Sequence, residues 1–277
     1  MSRSTDPLVS VCVVAYNSSR FIVETLDSIK AQTYRNIELI VGDDCSTDDT
    51  AEVCRGWIAA NADGFVRCEL VCAPVNRGVA ANCNAVCDAA RGEWIKIIAG
   101  DDLLLPECIE LNLEFVDSSP EAKVVLSRTA FTGDNEPMRE RMTAIFEAGA
   151  RLLELPVRRQ FGRLIRGNCL PAATEFIGRE IFERYRFDER IPLQEDHPYW
   201  IKLTKNGIKL YGFDAETVVY RLHPESLSQK PSIRYAESYY LCFRYYVLPN
   251  LILRAPWRTY KLWRKAVREV ERAKRAQ

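Results

Sequence analysis

Three short stretches of the chain gather side chains that can hold a cation or move a proton. They are Asp43-Asp44 in IVGDDCSTDDT, Asp101-Asp102 in WIKIIAGDDLLLP and Glu195-Asp196-His197 in LQEDHPYW. Adjacent carboxylates at the mouth of an apolar run repel each other and lose hydration, so a plain surface turn is a poor reason for them. Carboxylates cannot bind a diphosphate directly, because both are anionic. A divalent cation must stand between them, and hard oxygen ligands select Mg²⁺ or Mn²⁺. The pattern predicts a metal, and the metal predicts a phosphate-bearing substrate.

The elements that position these acids are legible from apolar periodicity. Strands are expected at 9–15, 37–42, 65–72, 94–99 and 123–131, with helices at 21–32, 47–60, 78–90 and 106–116 between them. Alternation of continuous apolar strands with amphipathic helices implies a parallel sheet covered on both faces. In such a sheet the ligand crevice lies outside the carboxyl ends of the strands. Strand one ends there in Tyr16-Asn17, strand two in Asp43-Asp44, and strand four in Gly100-Asp101-Asp102. The loop after strand one, AYNSSR, has no glycine, which excludes both the Gly-rich dinucleotide cradle and the phosphate loop ending in Lys-Ser/Thr. From about Gly133 the pattern turns polar and helical, and the second group of chemistry-capable residues follows in 168–220.

With 277 residues and 47% hydrophobic content, the chain can bury a full core. Net charge is zero but uneven: from Arg254 onward nine Lys or Arg stand against two Glu, leaving about −7 on the first 253 residues. No signal peptide or membrane-spanning run is evident. The ten cysteines are scattered through apolar elements, so a reducing, cytoplasmic setting is expected. Cys68/Cys72 and Cys83/Cys87 could in principle bind zinc, but each pair fits the core periodicity of its own element and lacks the short knuckle spacing.

The stretches VSVCVVAYNSSRFIVETLDSI, IELIVGDDCSTDDT, NRGVAANCNAVCDAARGEWIKIIAGDDLLLP, LQEDHPYWIKL and YRLHPESLS together resemble the family 2 glycosyltransferases, in the family's order and across most of residues 8–228. The resemblance implies an α/β GT-A fold: a mostly parallel nucleotide-binding sheet flanked by helices, here followed by an aromatic and basic helical tail. Residues 1–132 would form the nucleotide-sugar half, 133–230 the acceptor and catalytic-base half, and 231–277 the tail. It also implies an inverting enzyme that moves a sugar from a nucleoside diphosphate donor, UDP being expected, to a hydroxyl of a glycan or lipid-linked acceptor. Assembly of a surface polysaccharide is the expected setting.

Carried over residue by residue, the resemblance places Ala15, Tyr16, Asn17, Asp43 and Asp44 at the base and ribose, and Arg77, Gly78 and Asn82 against the nucleotide sugar. Gly100 and Asp101 join the donor site. Asp101 and His223 become ligands of Mn²⁺ or Mg²⁺, with Asp102 supporting the loop. Asp196 becomes the base that takes the proton of the attacking hydroxyl, with Glu195 beside it to raise its pKa. His197 is expected on the acceptor side without an assigned role. Ala99 departs from the family, standing where the first aspartate of its Asp-x-Asp metal motif usually sits. Two other readings remain open. One is a degenerate protein that binds nucleotide sugar or glycan without turnover. The other is a sugar-phosphate nucleotidyltransferase, disfavoured by the missing Gly-rich loop.

The tail interleaves Tyr239, Tyr240, Phe243, Tyr245, Tyr246, Trp257, Tyr260 and Trp263 with Arg and Lys. It reads either as an anchor to the inner face of an anionic membrane or as a helix whose aromatics pack on the domain. Without a recognised module beside it, nucleic-acid binding is not expected.

Overall fold

The run VSVCVVA is buried on both faces as the central strand β1 (Val9–Ala15), flanked by β2 (Ile37–Asp43), which is buried along its whole length. Two-sided burial of β-branched residues is the condition under which a parallel sheet is stable. The computed structural model describes residues 6–223, 226, 232–252 and 255–275. Between these strands α1 (Ile22–Lys30) turns Ile22, Thr25, Leu26 and Ile29 inward at helical spacing. Next come α2 (Thr50–Asn61), β3 (Arg67–Cys72), α3 (Val79–Ala89), β4 (Trp94–Ala99), the two-residue β5 (Leu103–Leu104), α4 (Cys108–Ser118) and β6 (Val124–Thr132). Each expected strand and helix of this half is present within a few residues.

The second half adds α5 (Glu136–Leu153), α6 (Val157–Leu164), β7 (Phe176–Gly178), α7 (Arg179–Arg184), α8 (Asp196–Lys205) and β8 (Tyr211–Arg221). The eight-stranded sheet runs β3-β2-β1-β4-β7-β6-β8-β5. β1 pairs in parallel with β2 and β4, β2 with β3, and β6 with β8. β7 is antiparallel to both β4 and β6, which leaves those two running in the same direction. The stretch 133–167, expected to be polar and helical, forms α5 and α6, and the segment after it supplies two strands of the common sheet, with β7 lying between β4 and β6.

Beyond β8 lie α9 (Ile233–Cys242), a five-residue π-helical turn (Phe243–Val247), α10 (Leu248–Leu251) and α11 (Pro256–Arg275). Phe243, Val247, Leu251 and Ala266 join the same buried cluster as Tyr199, Trp200 and Ile201 of α8. The tail thus packs on the domain through one side. No helix among the described residues is long and apolar enough to cross a membrane.

One staple aligns the strand ends that carry the site. Asn82 of α3 is buried, and its amide donates to the carbonyls of Gly42 (3.0 Å) and Ala15 (3.3 Å) at the exits of β2 and β1. A side chain at Gly42 would run into Asn82, so the glycine is what lets the helix approach. Asn82→Ala is expected to lower stability by about 1–3 kcal/mol through the lost buried hydrogen bonds, measured as a drop in the urea midpoint at unchanged slope.

Candidate active site

At the exits of β1 and β2 the polar residues first serve each other. Asn17 adopts a left-handed conformation (φ 51°), as does Cys45 (φ 59°). Asn17 Oδ1 accepts from the Thr47 amide (2.8 Å), and its own amide donates to Ser46 Oγ (2.9 Å). Asp43 accepts from the Ser46 hydroxyl and amide. Asp44 accepts from the amides of Arg77 (2.9 Å) and Gly78 (2.7 Å). Both carboxylates are only 3% exposed. Asp44 therefore shapes the 76–78 turn, and Asn82, expected against the sugar, has its amide nitrogen committed to the strand ends. Ala15 is buried below this rim, whereas Tyr16 is 47% exposed over it.

Gly78 has φ 97°, and a side chain there would meet Pro192 at 2.6 Å. Arg77 pairs with Glu189, so the start of α3 is closed against the 187–192 segment that leads to Glu195.

The AGDD turn divides its two acids between different tasks. Asp102 is 2% exposed; its Oδ1 accepts from the Arg221 amide (2.9 Å), and its carbonyl from Thr25 Oγ1 (2.7 Å). Burial, with the charge of Asp101 beside it, pushes the Asp102 carboxyl well above the usual carboxylate range. Asp101 instead faces outward, its side chain 29% exposed, with Oδ2 2.9 Å from His223 Nε2. Gly100 sits where a side chain would press on Ile22 and Ser18 of the first loop and helix.

Arg221 braces this turn from the end of β8. Its Nε donates to the Asp101 carbonyl (2.8 Å), its guanidinium pairs with Glu24 (2.7 Å) and its Cζ lies 4.6 Å from the Phe21 ring centroid. The Phe21 ring also packs 4.7 Å from His223. Below the turn, the fully buried Lys96 donates to the carbonyls of Ala173, Ile97 and Glu175. Burial lowers its pKa and raises that of Glu175. Neither Arg221 nor Lys96 was marked by spacing: one stands two residues before His223, and the other is a lone cation inside an apolar strand.

No group of three or more His, Cys, Asp or Glu among the described residues is arranged to hold an ion. Ala99 brings no donor and Asp102 is turned inward, so the candidate set is Asp101 with His223, whose Nδ1 has no hydrogen-bond partner among the described residues. Mg²⁺ and similar cations are commonly held by one or two protein groups together with substrate phosphates and water. A set of two donors fits that pattern.

The third cluster lies at the start of α8. Asp196 accepts from Asn168 Nδ2 (2.6 Å) and the His197 amide (2.6 Å). Burial raises its pKa, and raises that of Glu195, beside the charge of Asp196, to about 8. His197, expected on the acceptor side, is buried, with Nε2 2.7 Å from the Leu164 carbonyl and Nδ1 3.5 Å from Cys242 Sγ. It locks α6 and α9 against α8. A cavity of about 540 Å³ opens between α5 and the β6–β8 edge, walled in part by Phe131, Phe146, Arg128, Leu170 and Pro171. Asn168, the partner of Asp196, lies two residues before that wall.

A sheet of this order, with carboxylates at the exits of β2 and β4 and a separate acid at the mouth of α8, defines the glycosyltransferase GT-A architecture. Solved structures that share the fold include two glycosyltransferase complexes. The mannosyltransferase PcManGT from Pyrobaculum calidifontis, in complex with GDP-Man and Mn²⁺, superposes with a TM-score of 0.67 at 21% identity, covering 98% of this chain and 76% of that one. S. aureus TarS 1–349, in complex with UDP-GlcNAc, gives 0.64 at 18% identity, covering 96% and 81%. The model of glycosyl transferase family 2 matches residues 10–185, and the chain belongs to that family. Among its relatives is the Escherichia coli UDP-Glc:alpha-D-GlcNAc-diphosphoundecaprenol beta-1,3-glucosyltransferase WfaP, 26% identical over 223 residues, 80% of each chain. The Rhizobium meliloti (strain 1021) succinoglycan biosynthesis protein ExoO is 32% identical over 200 residues, 69% of this chain and 54% of its own. The protein is a glycosyltransferase.

Arg221→Lys keeps the charge but cannot span the Asp101 carbonyl, Glu24 and Phe21 together. It is expected to lower kcat/KM for the donor about tenfold, with little change in Tm, as read from steady-state transfer and thermal unfolding side by side.

Proposed function

We propose that the chain transfers a sugar from a UDP-sugar to a hydroxyl of a lipid-linked glycan by a single, inverting displacement with Asp196 as base. The observation that carries this reading is the division of labour among the acids. One outward carboxylate, Asp101, is paired with a histidine 122 residues away, and a second, Asp196, has a raised pKa and an oriented hydrogen-bond partner. The donor named for TarS and the donor and acceptor named for WfaP support UDP and a lipid diphosphate carrier. Mn²⁺ beside GDP-Man in PcManGT supports a cation.

Tyr16 and the rim built by Asn17, Asp43 and Asp44 would receive the base and ribose, with Arg77 and Gly78 along the diphosphate sugar. Asp101 and His223 would hold Mg²⁺ or Mn²⁺, which when bound neutralises charge on the diphosphate. The acceptor glycan enters from the cavity beside Asn168. Its hydroxyl oxygen forms a bond to the anomeric carbon as the bond from that carbon to the diphosphate oxygen breaks. The electron pair leaves with the nucleoside diphosphate, and the hydroxyl proton passes to Asp196. Asn168 fixes the orientation of the Asp196 carboxylate and favours its ionised form, while burial keeps it basic enough to take the proton. Glu195, still protonated at neutral pH, places no second charge beside the base.

Transfer across a panel of UDP- and GDP-sugars, with Mn²⁺ and with chelator, tests the reading. UDP-sugars should be turned over with inversion at the anomeric carbon, and chelator should abolish the reaction. Donor binding without turnover of any sugar would favour a binding protein, the outcome to which Ala99 points. Asp196→Asn is expected to lower kcat by about 10²–10⁴-fold with donor KM nearly constant. Should Asp101→Asn and Asp196→Asn both leave activity unchanged, the mechanism is wrong.

The pH profile gives a separate check. A base with a raised pKa loses activity as pH falls through that value, so the acid limb of kcat should lie above the ordinary aspartate range near about 4. Asn168→Ala removes a hydrogen bond to the ionised form and should move that limb to higher pH. Glu195→Gln mimics the protonated neighbour and should leave the neutral-pH rate within about threefold while removing any event near pH 8.

A further inference from the structure

Helix α11 buries one narrow face and leaves the rest of its surface unlike any other on the molecule. Thr259, Ala266 and Ala273 are its buried positions, and Leu262 packs beside them against the core of the domain. Trp257, Tyr260 and Trp263 are 69%, 46% and 41% exposed, and successive ring centroids lie 5.8 Å apart. Including Tyr245 and Ile252, five of the nine large hydrophobic side chains that are exposed among the described residues fall within 245–263. Val267 and Val270 extend the aromatic row along the same side at helical spacing. By helical spacing Arg258, Lys261, Lys265, Arg268 and Arg272 fall on the adjoining side and Arg264 between Trp257 and Tyr260, and Lys261 lies over the Trp257 ring at 5.6 Å. Over its 20 residues the helix has eight Lys or Arg against two Glu.

We infer that this face of α11 docks on the surface of an anionic lipid bilayer, with the Trp-Tyr-Trp row at headgroup depth and the basic side on the phosphates. Trp and Tyr present an apolar body with a polar edge, which suits the boundary between acyl chains and water. Lys and Arg beside them gain from the negative potential of an anionic leaflet. A helix of this length lying flat offers a contact of about 30 Å, enough to orient the domain without crossing the membrane. A second copy is the poorer occupant, because a two-fold contact would set one basic side against another. The helix packs on α9, whose Ser238 hydroxyl accepts from the Leu193 amide (3.3 Å) and whose Cys242 meets His197. The docking helix and the Glu195-Asp196 turn are therefore attached to the same support.

The full chain, without donor or acceptor, is sedimented with vesicles of phosphatidylcholine and with vesicles carrying about 30 mol% phosphatidylglycerol. Omitting both substrates keeps this result separate from the success or failure of the transfer reaction. The wild type is expected to bind the anionic vesicles at least about tenfold more tightly, with a blue shift in tryptophan emission, and to be released by about 0.5 M salt. W257A/Y260A/W263A and, separately, R258E/R272E should each lose at least about tenfold in binding, while circular dichroism and Tm stay unchanged because these side chains are exposed. Absence of vesicle binding, equal binding to neutral vesicles, or undiminished binding by either variant would overturn the inference. So would a dimer by light scattering that the aromatic variant dissolves, or binding to a short oligonucleotide in preference to the anionic vesicles.

Discussion

The buried carboxylate of Asp102, accepting the backbone amide of Arg221, ties the exit of β4 to the exit of β8. Nearly every other feature of the candidate cation site depends on that tie. With Asp102 committed inward, the chain direction turns Asp101 outward, and two residues beyond Arg221 the chain delivers His223 to meet it. β5 and β8 pair in antiparallel fashion just below, so the turn is gripped along the backbone as well as at the side chain. A carboxylate withdrawn from water carries a large desolvation cost, which an amide donor and the nearby Lys96 only partly offset. The cost is tolerable because the alternative, two free acids side by side in one turn, leaves neither with a defined direction.

The same principle governs the rim formed by β1 and β2. Most polar atoms of Asp43, Asp44, Asn17 and Asn82, the residues proposed to face the nucleotide, are already hydrogen-bonded within the protein. Such a network fixes backbone direction before any ligand arrives, and preorganisation of this kind reduces what binding must spend on ordering loops. Six of the ten cysteines are buried. Cys83 and Cys87 are buried on α3, where burial raises the thiols far from the thiolate form that zinc would need, and none of the ten is disulfide-bonded.

The strands and helices of the first half were legible because each is a long run with a single period, two-sided apolar for the strands and amphipathic for the helices. The helical pattern of 133–167 was legible too, but the two strands of the second half were not. β7 is three residues long, too short for any period to register. β8 alternates exposed and half-buried positions through Asp214 and Glu216, and its pairing with β6 shifts register twice, so its pattern resembles a polar segment. His197 shows the limit for single residues. Its neighbours are acids in sequence, but the helical turn at the start of α8 carries Asp196 toward Asn168 and the imidazole into the interior between Leu164 and Cys242.

The sequence alone determined the class of the sheet, the strand ends at which polar chemistry collects, and the family to which those motifs point, since all of these rest on local period and on residues adjacent in the chain. Tertiary structure decided which acid of each pair faces out and that β7 lies between β4 and β6. It also decided that Arg221 braces the turn and which side of α11 stays free. Those outcomes depend on contacts between residues as many as 197 positions apart, from Glu24 to Arg221. Only packing can bring such residues together, because a side chain's direction is set by what it must bury and which buried donor or acceptor needs a partner.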